Sequence, residues 1–557
     1  MEKTLKILSR YTATAYFFII LILGASIYKD YGISVDEEFH RMMGFYWLKY
    51  IIDFFPNNEF SENFYQIYSN INVVGFNFNE LNPQNLIYGV IFDLPICFIE
   101  VLFKVSEPNK IFHLRHLFTF LIFFISLIFF YRLLLERFND KFALLGTTAL
   151  VLSPRIFANS FFNNKDIIFM SLFLIAIYFF YKILKKVNLK NIIYFSLFCA
   201  VATAARGIGI AIIIFFISFF ILSSISNKKY FKKNISYYML SIFLYFLFTI
   251  ILWPYLWSNP LNNFLYAIQA LSNYPHEFYI LYDSKFIKTV NIPWHYLFKW
   301  IFISTPFLYQ IFFIIGFFFV GKKLTVNFLN IKDIKKDNKI DDLWSNVNEK
   351  FDVILFLLIT TFLFLIIKSN STLYTGWRHI YFLYPLMIYL SIFSINEILK
   401  LLKHKQKIKR LLPYSAIVYF IFISITMYKI HPYQNLYFNN FAGKEIHRKF
   451  EVDYWGLANV KFLKQVLRLE KDNSAIINIA TASWMPIVRS FNFLTPTERK
   501  KINLVGQEYD KADYIFNNFI YEVNININDK YEIPLNFVLI DDFSYKNVKV
   551  YEIYKKK

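Results

Sequence analysis

The densest set of groups able to move a proton lies just beyond an N-terminal apolar run, in Gly32-Ile33-Ser34-Val35-Asp36-Glu37-Glu38-Phe39-His40-Arg41. On a helix that starts near Asp36, the imidazole of His40 falls one turn beyond Asp36 and Glu37, so both acids can face it. Two carboxylates and an imidazole suit abstraction of a proton from an acceptor hydroxyl or amine. A plainer role is also open: Ser34 with Glu37 reads as a capping box, and the acids complement the positive end of the helix dipole. A capped helix would also fix a catalytic carboxylate, so the two roles are compatible.

A second cluster, Ser153-Pro154-Arg155-Ile156-Phe157-Ala158-Asn159-Ser160-Phe161-Phe162-Asn163-Asn164-Lys165-Asp166, sets a carboxylate beside cations. Arg155, Lys165, Arg206 and Arg378 fall in turns otherwise poor in basic residues. A lipid-linked phosphate is the natural partner for them, because positioned cations stabilise the charge that develops on a departing phosphate. Taken singly, each could instead snorkel to lipid headgroups or pair with Asp36, Glu37 or Asp166. In Tyr374-Thr375-Gly376-Trp377-Arg378-His379 an arginine able to grip phosphate with a bidentate fork stands beside a histidine whose charge responds to small shifts near neutral pH. Aromatic residues crowd Trp253-Pro254-Tyr255-Leu256-Trp257 and Ile292-Pro293-Trp294-His295-Tyr296. They suit an interfacial belt, or a platform for a sugar face or a polyprenyl chain. His276, Glu277 and His295 could ligate a divalent metal, but their spacing matches no recognised site, and the sequence requires no cofactor.

Membrane helices must position these groups. Of the 557 residues, 57% are apolar and 21% aromatic, in blocks too long for a soluble core. The net charge of +21 does not mark a nucleic-acid surface, because the cations come in short clusters between apolar runs. Cys97 and Cys199 offer no disulfide framework. The apolar runs predict about eleven spans, near residues 11–28, 117–134, 142–157, 167–183, 192–205, 208–225, 235–252, 300–320, 353–367, 380–398 and 411–428. With the N-terminus inside, the loops carrying Arg132/Arg137/Lys141, Lys182/Lys185/Lys186, Lys228/Lys229/Lys232/Lys233, Lys322/Lys323/Lys335/Lys336 and Lys403/Lys405/Lys407/Arg410 obey the positive-inside bias. Residues 84–105 are apolar but interrupted by Asp93, Pro95 and Glu100. Counted as a span they would invert every later loop, so they are expected at the outer interface or re-entering partway, with both acids reaching water.

Residues 1–430 thus read as one transmembrane domain with a long first external loop over 29–115. From His431 the pattern changes. An amphipathic helix at 456–470 and short strands at 474–480, 512–516, 537–540 and 548–553 predict a small α/β domain, 431–557, on the same side as that loop.

Together these residues resemble the GT-C superfamily of glycosyltransferases, in its family 39-like branch of protein O-mannosyltransferases and relatives of the lipid A aminoarabinose transferase. Asp36-Glu37 with His40 is similar to that family's acidic pair in the first external loop, and Asp166 to its second acidic position. Ile292-Pro293-Trp294-His295-Tyr296 with Thr305-Pro306, Gly376-Trp377-Arg378-His379, His431-Pro432-Tyr433 and Asp453-Tyr454-Trp455-Gly456 are similar to bacterial members with a C-terminal external domain. The resemblance implies sugar transfer from a polyprenyl-phosphate carrier to a glycan, lipid or protein acceptor at the outer face, with inversion. Asp36 would be the general base, with Glu37, its neighbour, and Asp166 the other catalytic acids, while His40, Arg155, Lys165, Arg206, His295, Arg378 and His379 would bind substrate. The chain departs from the pattern where many relatives carry His-Pro-Pro, since Leu81-Asn82-Pro83-Gln84 stands there. Its C-terminal part also does not look like the sugar-binding domains of eukaryotic O-mannosyltransferases.

The expectation is therefore a polytopic α-helical membrane protein of GT-C type with a small α/β extracytoplasmic domain. Its partners are a lipid-linked sugar donor, an acceptor and membrane lipid, with no nucleic acid. Abundant Asn, Lys, Ile and Phe point to an AT-rich bacterial genome, hence to the plasma membrane with the C-terminal domain periplasmic. The rivals are a transporter or lipid flippase, which needs ionisable groups near mid-membrane, and a non-catalytic envelope assembly factor.

Overall fold

Long apolar helices account for most of the chain, because backbone in hydrocarbon must satisfy its own N–H and C=O groups. The computed structural model describes residues 2–69, 71, 86–226, 228–272, 277–329, 344–470 and 476–557. The Leu81-Asn82-Pro83-Gln84 stretch, His276, Lys335 and Lys336 lie outside the described residues. Among those described, eight helices are long and apolar enough to cross a membrane: Pro108–Arg137, Asp166–Lys185, Gly207–Ser224, Lys228–Leu252, Phe307–Leu329, Val347–Lys368, Arg378–Leu401 and Pro413–Ile430. The pair Asp140–Val151 and Pro154–Phe162, bent by 67°, makes a ninth if taken as one span. Two shorter apolar helices, Tyr11–Ile27 and Leu189–Ala205, match the remaining segments read from the sequence.

Two of the expected uninterrupted spans are broken at proline. The 142–157 run turns ahead of Pro154, and the 300–320 run divides into Tyr296–Ser304 and Phe307–Leu329 around Thr305-Pro306. Proline offers no N–H to the preceding turn and pushes the residue before it out of the helical region. Ser153 and Thr305 are accordingly extended. Their hydroxyls recover carbonyls of the interrupted turns, Ser153 Oγ donating to Ala149 O and Thr305 Oγ1 to Ile301 O, each at 2.8 Å.

The ambiguous stretch resolves into a short helix, Asp93–Leu102, whose acids do not reach water. Asp93 and Glu100 are 2% and 0% exposed. Both meet the fully buried guanidinium of Arg115, and Glu100 also accepts from Arg41 Nε at 2.8 Å. A carboxylate can stay charged in such a place only when paired and hydrogen-bonded, and Arg115 supplies the pairing from the first turns of Pro108–Arg137. The segment before it crosses the end of Leu189–Ala205 so closely that a Cβ at Gly89 would lie 1.6 Å from Ala204 O. Glycine alone permits that crossing.

Between the helices Lys228–Leu252 and Tyr296–Ser304 the chain forms an antiparallel hairpin, β1 (Tyr279–Tyr282) with β2 (Lys285–Lys288). After Ile430 it leaves the helical bundle and builds a five-stranded sheet from β3 (Ile477–Thr481), β4 (Ile502–Gly506), β5 (Tyr514–Asn517), β6 (Phe537–Tyr545) and β7 (Val548–Lys556), in the order β4-β3-β5-β7-β6. The first three strands run parallel and the β6–β7 hairpin closes the edge antiparallel. The helix Asn459–Leu469 buries Phe462, Leu463 and Val466 and packs Phe462, tilted, against Phe516 of the sheet. Contacts tie this part to the helical bundle: Val35 N–H donates to Trp455 O at 3.0 Å, and Tyr279 N–H to Glu522 O at 2.9 Å.

Candidate active site

The acidic loop ends in the helix Glu37–Ile52, with Asp36 as the residue before its first turn and no capping bond from the Asp36 side chain. That carboxylate is therefore free to look elsewhere. Half of the expected capping box forms: Ser34 N–H donates to Glu37 Oε2 at 2.7 Å, whereas Ser34 Oγ donates to Phe162 O at 3.3 Å. Glu37 is fully buried, and its other oxygen lies 3.0 Å from His116 Nε2. The expectation that Asp36 and Glu37 both face His40 thus fails for Glu37, which the packing turns inward to anchor the loop. His40 Nδ1 instead pairs with Asn164 Oδ1 at 2.8 Å, and Asn164 Nδ2 donates to Asp93 Oδ1 at 2.8 Å. Burial holds the His40 imidazole below its ordinary range, against the opposing pull of Asp93.

Asp36 turns to Arg378. Asp36 Oδ2 accepts from Arg378 Nη1 at 2.7 Å, and the same nitrogen lies 3.9 Å from Asp166 Oδ2. Asp166 Oδ1 pairs with Arg206 Nη2. Two acids and two arginines from four distant segments therefore form one chain of alternating charge. Local sequence explains each placement. Asp166 opens the helix Asp166–Lys185, where a carboxylate complements the dipole, and Asn163 Nδ2 holds its Oδ2 at 2.9 Å. Arg206 follows the C-terminal end of Leu189–Ala205, the end that favours a cation. Gly376, at φ +76°, turns the chain into the 3-10 segment that begins at Arg378. The rings of Tyr374 and Trp455 flank that guanidinium at 5.0 and 4.8 Å. Burial by itself would raise the Asp36 carboxyl, but Arg378, then His40 and Arg489, pull it below the usual carboxylate range.

The other expected residues are placed less uniformly. Lys165 stands beside Asp166, is 9% exposed, and donates Nζ to Gly89 O at 2.7 Å. Burial lowers its ammonium to about 8, with Asp93 opposing. His379 is next to Arg378, its ring edge-on to Tyr374 at 4.9 Å. Arg155 is not brought to the acids. It is 2% exposed, donates Nε to Tyr437 O at 3.0 Å, and packs against Trp300 and Phe438. His295 pairs with Tyr282 of β1 at 2.8 Å, and Glu277 with Lys288 of β2 at 2.5 Å. Among the described residues no group of three or more His, Cys, Asp or Glu side chains could hold a metal ion. Trp253 is 1% exposed and packs with Leu256 and Phe264, so this ring belongs to the core rather than to a platform.

Sequence reasoning missed several neighbours. Arg115, Asp93 and Glu100 were visible as charges interrupting apolar runs, which is itself a signal that they pair. Asn164 sat unremarked inside the second cluster. Arg489 carried no signal at all. It lies 3.4 Å through Nε from Glu38 Oε2, and Asn492 Nδ2 donates to Glu38 Oε1 at 3.1 Å. The C-terminal part of the chain thus grips the residue two places after Asp36. Glu451, 3% exposed and close enough to Arg378 to feel its charge, is held by burial at about 8.

A many-helix membrane protein that converges two acids and two arginines, Asp166 and Arg378 buried and Asp36 and Arg206 half-buried, beside aromatic rings has the makings of a site for a charged substrate. Residues 97–253, just over a quarter of the chain, match the family described as dolichyl-phosphate-mannose-protein mannosyltransferase. Over that segment the chain is similar to a mannosyltransferase family. Among solved structures it is similar to the oligosaccharyltransferase of Archaeoglobus fulgidus, at 10% identity and a TM-score of 0.46, covering 90% of this chain and 68% of that one. No curated protein matches it by sequence.

Proposed function

We propose that this chain is a transferase that moves a sugar from a polyprenyl-phosphate carrier to an acceptor at the outer face of the plasma membrane, inverting the anomeric centre, with Asp36 as general base. The N-terminus would then be cytoplasmic and the sheet domain extracytoplasmic, as the clustering of Lys and Arg in alternate loops requires. One observation carries the assignment: Arg378 bridges Asp36 and Asp166 while Arg206 holds the far oxygen of Asp166.

The chemistry follows from that arrangement. The acceptor hydroxyl gives its proton to Asp36 as its oxygen bonds to the anomeric carbon. The bond from that carbon to the carrier phosphate oxygen breaks, and the carrier leaves as a phosphate monoester. Arg378 and Arg206, with Lys165 nearby, meet the charge developing on it. Asp166 acts on the arginines by fixing their forks. Arrival of the donor phosphate competes for Arg378, so Asp36 loses the cation that depresses it and becomes a stronger base when one is needed. Glu37 and His40 hold the loop in place.

Asp36→Asn tests the reading. Membranes containing that variant, given labelled polyprenyl-phosphate sugars, should transfer no label while still binding the donor. Full turnover by Asp36→Asn would remove the base from this account.

A further inference from the structure

A cavity of about 790 Å³ opens between the start of the acidic loop, Lys29 to Gly32, and the C-terminal part of the chain. Its wall carries four cations: Lys29 from the loop, and Lys461, Lys464 and Arg468 from one face of Asn459–Leu469. None of the four has a carboxylate partner among the described residues, although other cations near the loop do, Arg378 with Asp36, Arg489 with Glu38 and Arg115 with Asp93. The two acids on the cavity wall are already engaged. Asp30 pairs with His431 Nε2 at 2.8 Å, and Asp542 accepts the Ser544 hydroxyl. Lys461 Nζ sits 3.2 Å above the ring of Phe543, which supports the ammonium without neutralising it. The cavity therefore presents a wall with an excess of positive charge, four cations against two carboxylates, and an aromatic floor, and attracts a multiply charged anion.

We propose that this cleft is the acceptor subsite and that the acceptor is an anionic glycan or glycolipid headgroup bearing phosphate. The proposal rests on the transferase reading above. Gly32 lines the cavity, and the chain from Gly32 to Asp36 spans at most about 14 Å. A glycan anchored by its phosphate in the cleft can therefore extend a neighbouring hydroxyl over the loop to Asp36. Donor and acceptor phosphates are then bound by different cations near the two ends of one loop, so neither displaces the other.

The test uses the purified full-length chain in nanodiscs of zwitterionic lipid, titrated calorimetrically with inorganic tripolyphosphate. Saturable binding is expected. It should weaken by about tenfold or more in Lys461→Gln/Lys464→Gln/Arg468→Gln, because each charge-assisted contact contributes roughly a factor of ten. Lys29→Gln, on the opposite wall, should weaken it as well and guards against misfolding of the triple variant. Asp36→Asn should bind as the wild type does, so a failure of the base assignment and a failure of the cleft are read separately. No saturable binding, or binding indifferent to both sets of substitutions, would overturn the proposal. Loss of binding when the nanodiscs contain anionic lipid would assign the cleft to bilayer headgroups and overturn it too.

Discussion

Replacing Arg378 by glutamine separates the two acids that it bridges. Its contacts are unequal, 2.7 Å to Asp36 and 3.9 Å to Asp166, and Asp166 keeps Arg206. The substitution therefore orphans Asp36. What then acts on that carboxyl is burial, which raises it, against the weaker pulls of His40 and Arg489. The acid limb of kcat/KM should move to higher pH, each unit of movement representing about 1.4 kcal/mol of lost charge interaction. The plateau should also fall by about 10²–10³-fold, the usual cost of removing one donor to charge that develops in the transition state. Stability gives an independent sign. Asp36 titrates lower in the folded chain than in the unfolded one, so its contribution is full above about pH 4 and disappears as pH falls through the folded value. The wild type should therefore unfold at a higher temperature than Arg378→Gln near neutrality, and the gap should narrow on acidification. Initial rates of label transfer by membranes between about pH 4 and 8, with thermal unfolding in detergent alongside, measure both effects. An unmoved acid limb with a plateau within about threefold of wild type would refute the bridging role.

Two further expectations concern the surroundings. Arg115→Met leaves Asp93 buried without its cation and Glu100 with Arg41 alone, and should cost about 3–5 kcal/mol, most of it recovered in Arg115→Met/Asp93→Asn; denaturation in detergent measures both variants. Glu451, held at about 8 by burial, binds its proton more tightly folded than unfolded. Stability should fall by up to about 1.4 kcal/mol per unit as pH rises from about 4.3 towards that value, and Glu451→Gln should unfold at a temperature nearly flat across the same window.

How far these features could be read in advance depended on whether the signal was local. Asp36, Asp166, Arg206 and Arg378 each stood out as an ionised residue at the edge of an apolar run, and convergence followed because such residues need partners. The same logic misplaced Arg155. Its sequence neighbours suggest a phosphate ligand, but Trp300, Phe438 and the Tyr437 carbonyl, all far along the chain, close over it. Helix type and order were legible from hydropathy, whereas the breaks at Pro154 and Pro306 were passed over although the residues announce them. Asp93 and Glu100 were placed in water for want of a visible cation, since Arg115 was read only as the end of a loop. In the sheet domain β4 went unseen because Asn503 and Gly506 dilute its pattern. The grip of Arg489 on Glu38 has no sequence counterpart, being purely tertiary.

That grip bears on biosynthesis. Glu38 leaves the ribosome early, and Asn492, which with Arg489 clasps it, follows 454 residues later. Trp455, which packs against Arg378, likewise follows the helices in the chain. A nascent polypeptide therefore inserts its helices while the Asp36–Arg378 pair is still uncovered, and a product truncated before Trp455 would have the helices without that cover. Synthesis of residues 455–492 thus becomes the step that closes over the Asp36–Arg378 pair.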